Sequence, residues 1–541
     1  MVRQLGIPAK WDMEADLVCV GSSAGGLVAA IVGHDLGLST VVLEKADSLG
    51  GATAISGGVI WVPCNHHMAE MGLADSREEA LTYIRGLGLG RHDEENLAAY
   101  LDHGPEMLGY IEGHTSLRMV VAQFPDCYAE FPGGKGRKEA QFRGRKLMPD
   151  PELMPQMMAE AEKSQPLLRK VRPDPVPFFL GKRDFWAEGR GLIGPLVLAC
   201  LDRGIEILAN TRARQLVVQD ARVVGVRAER EGRDFFVRGK KGTLLATGGY
   251  EWNERIWKKS ISIPYAGGMT PHSNEGDGHV MGMEIGAAVA LMDLGIFQPT
   301  LRVPGEEVDG KPFYRTMSYG LPGNILVNRH GKRFCNDSFW PAIRGAFVSY
   351  DPVRPELANA PIFWICDQYF KDRIQIGNVR RGTQTAEWLR RADTLPHLAE
   401  QLGIPPSNLV ETVERFNTFA REGRDPDFRR GETAHDLWWG TRIAPMFPDH
   451  KGNPILGPLE KPPFYGFQLL MGTQGTLGGL VGNRDAQVMD VHGEVISGLY
   501  AAGSAAAILF SGHHYESGSA QGSSMISGYI AARHAARGGI S

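Results

Sequence analysis

Residues Asp16 to Lys45 read DLVCVGSSAGGLVAAIVGHDLGLSTVVLEK. Asp16 to Val20 is a short apolar run of the kind a buried strand requires. The turn Gly21-Ser22-Ser23-Ala24-Gly25-Gly26 follows, then Leu27 to Leu36 with helical spacing, closed by Gly37. A second apolar run, Thr40 to Leu43, stops at Glu44. Strand, glycine-rich turn, helix and strand in this order make up a parallel βαβ unit. In such a unit backbone N–H groups of the turn and the helix N-terminus can meet a pyrophosphate. The acid closing the second strand can accept hydrogen bonds from ribose hydroxyls. Ser23 stands where the strict pattern has its second glycine, and it is small enough to leave the backbone approachable. A tight turn without a ligand is the alternative for the glycines alone, but Glu44 in place favours dinucleotide binding.

Which dinucleotide is decided downstream. Lys45 leads into Gly50-Gly51-Ala52-Thr53-Ala54-Ile55-Ser56-Gly57-Gly58, a second glycine- and serine-rich loop close behind the ribose acid. A nicotinamide domain has no obvious use for it, whereas FAD needs chain along its pyrophosphate and ribitol. Two later apolar strands also end in glycine turns, at Thr247-Gly248-Gly249 and at Ala502-Gly503. The expected cofactor set is therefore Gly21, Ser23, Ala24, Gly25 and Gly26 in the first turn and Glu44 and Lys45 after the second strand. Gly51, Ala52, Thr53, Ser56, Gly57 and Gly58 follow in the loop, with Thr247, Gly248 and Gly503 beyond it.

The rest of the chain narrows the class. Its 541 residues exceed one hydrophobic core and imply at least two domains. A net charge of −4 supplies no basic patch for nucleic acid. Sixty-eight glycines, about an eighth of the chain, fit many tight turns and close backbone approaches. The six cysteines form no Cys-x-x-Cys pair, and no His, Asp or Glu spacing suggests a metal. No run approaches the roughly 20 apolar residues of a membrane span, and the start lacks a signal-peptide core, so the expected setting is reducing and cytoplasmic.

Several segments in sequence order resemble the fumarate reductase and 3-ketosteroid dehydrogenase superfamily of flavoproteins. These are GGATAISGGVIWVP (Gly50 to Pro63), ILVNRHGKRFCNDS (Ile325 to Ser338), VERFNTFAREGRDPDFRRGE (Val413 to Glu432) and PPFYGFQLLMGTQGTLGGL (Pro462 to Leu480). The resemblance implies an α/β fold with a discontinuous Rossmann-like FAD-binding domain, residues 12–285 and 460–541. An α+β capping domain, residues 286–459, is inserted in it. It also implies non-covalent FAD, because the loop Gly50 to Gly58 holds no histidine and His66 and His67 lie too far along. The substrate histidine of soluble fumarate reductases is absent from Thr473 to Gly479, which favours the ketosteroid-dehydrogenase branch.

That branch implies α,β-desaturation of a ketone, steroid or smaller ring, with an unnamed electron acceptor. Tyr515 and a backbone N–H near Gly518 would polarise the carbonyl, and Tyr128 matches another tyrosine of the pattern. The segment Gly512-His513-His514-Tyr515-Glu516-Ser517-Gly518 lacks the proline of the resembled motif. The general-base tyrosine is expected just after Asn336-Asp337-Ser338, where Phe339-Trp340-Pro341 stand instead. Tyr319 and Tyr350 are the neighbouring alternatives, or a different base serves. Trp340, Trp438 and Trp439 are either core or walls of an apolar pocket. Reduction of an activated C=C bond is the runner-up chemistry, and a purely structural flavin the reading from another class.

Overall fold

The computed structural model describes residues 7–138, 141–173, 186–308, 310–508 and 516–538. The first turn of the sequence sits at the centre of the larger sheet. Strand Met13–Val20 pairs in parallel with Arg233–Leu245 on one side and Thr40–Leu43 on the other. Val495–Ala501 extends the parallel array beyond Arg233–Leu245, and Glu206–Leu208 extends it beyond Thr40–Leu43. Thr211–Gln219 and Arg222–Arg230 join as an antiparallel meander, and Gln487–Met489 covers the edge beside Val495–Ala501.

The helix Ala24–Asp35 is buried on nearly every side because it lies between this sheet and the C-terminal helix Ser519–Ala536. Glycine makes that approach possible. A Cβ on Gly25 would lie 2.4 Å from the Ser524 carbonyl oxygen, and one on Gly528 would lie 2.2 Å from the Gly25 carbonyl oxygen. Gly37, at φ +85°, ends the helix in the left-handed conformation.

The second sheet is built on Phe464–Thr476, which pairs with Gly295–Val308, Ile362–Cys366, Tyr265–Gly268 and Arg390–Ala392. Asn324–Val327 and Lys311–Arg315 close its two ends. Strand alternation sorts its side chains onto two faces. Ile325, Val327, Phe363 and Ile365 meet Leu398, Leu409, Val413 and Phe416 of the helices Leu395–Leu402 and Pro406–Glu422. Leu326, Ile362, Trp364, Phe467 and Leu469 fill the core on the opposite face.

The expected seams at 285/286 and 459/460 cut through this sheet. Tyr265–Gly268 and the central strand Phe464–Thr476 both fall on what was read as the flavin-domain side. Sequence composition does not show the pairing partner of a strand, so a boundary set at the Pro-rich segment 458–463 takes no account of this pairing. We propose a division in which both strands belong to the cap.

Two of the resembling segments meet in the cap through a buried ionic cluster. Arg430, with no exposed surface, donates to the carbonyls of Asn324, Leu321 and Ile455 at 2.9–3.0 Å and to Asp337 Oδ1 at 3.1 Å. Asp337 also accepts the Leu326 N–H at 2.8 Å, and Arg333 pairs with Asp425 at 2.7 Å. These contacts fix the stretch leading into Ser338 and Trp340.

Candidate active site

The parallel strands Met13–Val20, Arg233–Leu245 and Val495–Ala501 all release their chain at the same end of the sheet. Their turns, Gly21-Ser22-Ser23, Ala246-Thr247-Gly248 and Ala502-Gly503-Ser504, line one cavity of about 1530 Å³. This is the carboxyl-end crevice at which open parallel sheets bind nucleotides. The volume exceeds the roughly 300–1,000 Å³ of an ordinary small-molecule site and leaves room for a cofactor and a substrate together.

Most of the expected cofactor residues share this wall. Gly21, Ser23, Glu44 and Lys45 line the cavity, as do Gly51, Ala52, Thr53, Ser56 and Gly57. Ala24, Gly25, Gly26 and Gly58 do not. Ala24 is wholly buried, and Gly25 serves the helix contact described above. A Cβ on Gly26 would lie 2.1 Å from the Gly21 carbonyl oxygen, and one on Gly58 would lie 2.3 Å from that of Glu188. Their glycines answer to protein packing, which the sequence motif cannot distinguish from approach to a ligand.

The wall fits a dinucleotide. Ser23 caps the helix Ala24–Asp35, and its buried hydroxyl makes no hydrogen bond to any described group. A helix N-terminus with an unused hydroxyl beside it suits a pyrophosphate. Glu44 is held in place by the Ser22 hydroxyl at 2.6 Å and the Ser22 N–H at 3.1 Å. Lys45 is committed to Glu275 and Asp277 at 3.0 and 2.9 Å, so it orders the rim. The helix Ser519–Ala536 turns its N-terminus onto the same cavity through Gly518, Ala520, Gln521 and Ser524.

An aromatic part of the lining joins Phe124 of the N-terminal segment to residues of the inserted one. Phe124 stacks on Trp438 with centroids 4.0 Å apart, and Trp438, Trp439, Trp340, His435 and Tyr319 line the space beside them. Asp436 anchors this wall by accepting from the Ser338 hydroxyl at 2.7 Å and from the Asn336 amide at 2.9 Å. Burial and the neighbouring Lys146 push the His435 imidazole down to about 3, so it stays neutral.

The tyrosines separate clearly. Tyr319 lines the cavity next to Ser338, because Gly320 presses on the Asp337–Ser338 backbone. Burial raises its phenol well above the ordinary range. Tyr128 does not line the cavity and packs edge-on against Phe339 at 5.3 Å. Tyr350 is 61% exposed, with its hydroxyl on the Ser262 carbonyl. Tyr515, His513 and His514 lie outside the described residues. Gly518 is described: it lines the cavity at φ +90°, and its N–H donates to no group among the described residues.

His66 and His67 share the Glu112 carboxylate at 3.1 and 2.8 Å and lie off the cavity. With Glu112 they bring three donor atoms within 4.8 Å, a cluster that spacing along the chain did not suggest. The His67 contact is a hydrogen bond, and His66 lies within ion-pair distance of the same carboxylate.

One acid escaped the sequence reading. Glu251 follows directly on the Thr247–Tyr250 glycine turn, which was the available signal. It lines the cavity while only 1% exposed. One carboxylate oxygen accepts the Thr476 N–H at 2.9 Å, and the other has no hydrogen-bond partner among the described residues. Burial pushes its carboxyl up to about 7. The neutral form is thus favoured in the folded state. Its stability advantage is complete below about pH 4.5 and is lost as pH rises through 7, a penalty on the order of 3 kcal/mol. Glu251→Gln keeps an acceptor for Thr476 and should therefore remove this loss. Unfolding midpoints of the two proteins compared at pH 5 and pH 8 check it; equal pH dependence would refute the assignment.

Fold and cavity together define a flavoprotein of the dinucleotide-binding α/β class. Comparison with known proteins agrees. The chain belongs to the FAD binding domain family, whose model matches residues 16–520, and it binds FAD. It is 36% identical to a 3-oxosteroid 1-dehydrogenase of Mycobacterium tuberculosis (strain ATCC 25618 / H37Rv), covering 97% of this chain and 98% of that one. A 4-oxocyclohexanecarboxylate 2-dehydrogenase of Sinomonas cyclohexanicum is 34% identical, covering 96% and 92%. The crystal structure of 3-ketosteroid delta1-dehydrogenase from Sterolibacterium denitrificans, in complex with 1,4-androstadiene-3,17-dione, is 30% identical. It superposes with a TM-score of 0.82 over 97% of this chain and 99% of that chain. Among the described residues no helix is long and apolar enough to cross a membrane.

Proposed function

We propose that this protein is an FAD-dependent dehydrogenase that introduces a double bond beside the carbonyl of a cyclic ketone. The observation that carries the reading is the shared cavity. The expected dinucleotide residues and the aromatic side chains Phe124, Trp438 and Trp439 line one cavity, and Gly518 at the N-terminus of the helix Ser519–Ala536 belongs to the same lining. The relatives named for oxosteroids and for an oxocyclohexane support a ring ketone as the substrate class.

A hydrogen beside a carbonyl becomes acidic only if the oxygen's developing charge is stabilised. The Gly518 N–H and the Tyr515 hydroxyl are the proposed donors, assisted by the positive end of the helix Ser519–Ala536. The α-C–H bond then breaks with its electron pair left on the substrate, and its proton goes to a base. Tyr319 is the proposed acceptor, being the cavity tyrosine beside Ser338. Burial holds it as a phenol at neutral pH, so it takes the α-proton as its own hydroxyl proton passes to solvent. As the C=C bond forms, the β-hydrogen leaves with its electron pair. Bound FAD, held non-covalently, supplies the hydride acceptor, and an electron acceptor restores the oxidised enzyme. The flat aromatic pair Phe124–Trp438 presents an apolar face to the ring and excludes water from it. A reducing, cytoplasmic setting suits the six free cysteines.

Incubation with a saturated cyclic ketone and an artificial electron acceptor should yield the α,β-unsaturated ketone. Fumarate should be a poor oxidant of the reduced enzyme, as no histidine stands between Thr473 and Gly479. Fumarate turnover at the ketone rate would replace this reading by the reductase one, and turnover in neither direction would leave a structural flavin.

A further inference from the structure

An imidazole stands in the aromatic part of the lining. His435 is the second residue of the helix Ala434–Ile443 and lines the cavity while only 5% exposed. Its ring packs among three aromatic side chains, Phe339 edge-on at 5.2 Å, Trp438 at 5.5 Å and Phe124 at 6.3 Å. The backbone that carries it is fixed on both sides. The Ala434 N–H donates to Glu130, and the Thr433 hydroxyl accepts from the Asp436 N–H at 3.0 Å. Asp436 is itself held by Ser338 and Asn336.

The polar groups beside it are committed elsewhere. The Trp438 indole N–H donates to the Gln123 carbonyl, and Lys146 is spent on Glu516 at 2.8 Å and on the Pro125 carbonyl. Neither nitrogen of His435 has a hydrogen-bond partner among the described residues. Nδ1 is sealed off from accessible surface, whereas Nε2 is not closed in this way. The cavity is therefore where Nε2 can find a partner.

The tautomer follows from this asymmetry. A neutral imidazole carries one N–H and one acceptor nitrogen. On Nδ1 the N–H would be buried without an acceptor, and orphaned buried N–H groups are rarer than unused acceptors. The proton thus sits on Nε2, and His435 offers an uncharged donor. Amid aromatic rings such a donor fixes the orientation of a ligand through an acceptor oxygen and needs no anion. The reacting carbonyl is assigned to donors at the start of the helix Ser519–Ala536, so the oxygen left for His435 is a second one.

We propose that His435 is a specificity-determining residue: its Nε2–H binds an uncharged oxygen that the ring ketone carries away from its reacting carbonyl. This deepens the reading of the cavity as a ring-ketone site and rests on it.

The test uses the FAD-loaded enzyme and pairs of ketones that differ by one oxygen in place of a carbon. Methoxycyclohexanones are compared with ethylcyclohexanones substituted at the same ring position, and androstane-3,17-dione with 17-methyleneandrostan-3-one. In at least one pair the wild type should prefer the oxygenated member by about tenfold in kcat/KM, because the other member leaves the donor unpaired. The preference should lie in KM with kcat little changed, as for an interaction made equally in ground and transition states. In His435→Phe the preference should vanish, whatever the substitution does to both rates together. His435→Gln keeps an N–H donor and should retain most of it. A wild type without preference in any pair, an undiminished preference in His435→Phe, or equal loss in His435→Gln and His435→Phe would overturn the proposal. The first of these outcomes needs no variant and serves even if His435→Phe does not fold. A wild type inert towards every ketone would instead refute the underlying reading, and the two failures are therefore distinct.

Discussion

Tyr515→Phe should turn over about 10²–10³ times more slowly than the wild type, the usual loss on removing one donor from a developing oxyanion. The ring is retained, so FAD content and stability should stay the same. The loss should appear equally in kcat and in kcat/KM, as for an interaction made mainly in the transition state. Solvent-deuterium exchange of the α-hydrogen should slow as well, because it needs the enolate but not hydride transfer. Anaerobic reduction of the enzyme by ketone, followed with the exchange, measures both. A variant that keeps FAD and is reduced at the wild-type rate would show that Gly518 and its helix stabilise the carbonyl unaided.

The second large effect belongs to stability. Arg430→Met fills similar volume but strips the donor from three buried carbonyls and removes one partner of Asp337. Breaking a buried ionic cluster from one side typically costs about 3–5 kcal/mol, since the remaining charge stays buried. The denaturant midpoint should fall by a corresponding amount with little change in slope. Arg333 remains 3.3 Å from Asp337 and cannot replace the lost contacts to Leu321, Asn324 and Ile455. A loss below about 1 kcal/mol would mean that the cap tolerates an apolar plug at this point.

What could be read from the sequence was whatever is local. The strand Asp16 to Val20, the glycine turn, the helix Leu27 to Leu36 and the acid Glu44 follow from spacing alone, and the structure has the two elements as Met13–Val20 and Ala24–Asp35. Contacts between distant segments were not legible. Gly25 and Gly26 carry the glycine motif, but what they accommodate is Ser524 and Gly21, and neither neighbour can be foreseen from a turn pattern. The sheet partners of Phe464–Thr476 are not legible either, because they lie far away in the chain. Among the active-site groups, Tyr319 could be named only as one of two neighbours of the expected base. Cavity access separates it from Tyr350, whose side chain the fold leaves in solvent. Glu251, Lys146 and Glu516 look like ordinary surface charges in a sequence, and only burial reveals them.

The strand Phe464–Thr476 also limits how this protein can be rebuilt. Its middle is the spine of the cap, while Gln474 and Gly475, near its end, already belong to the cavity wall. An excision of residues 286–459 would strip Gly295–Val308, Ile362–Cys366 and Arg390–Ala392 from that spine and leave it only Tyr265–Gly268, exposing an apolar edge of the kind that drives aggregation. A chimaera that exchanges substrate preference between relatives therefore has to carry Tyr265–Gly268 and Phe464–Thr476 along with the inserted segment. Specificity and flavin site are thus units of one heritable piece, and a lineage that changed its substrate would do so more readily by altering side chains such as Trp438 and Trp439 than by trading caps.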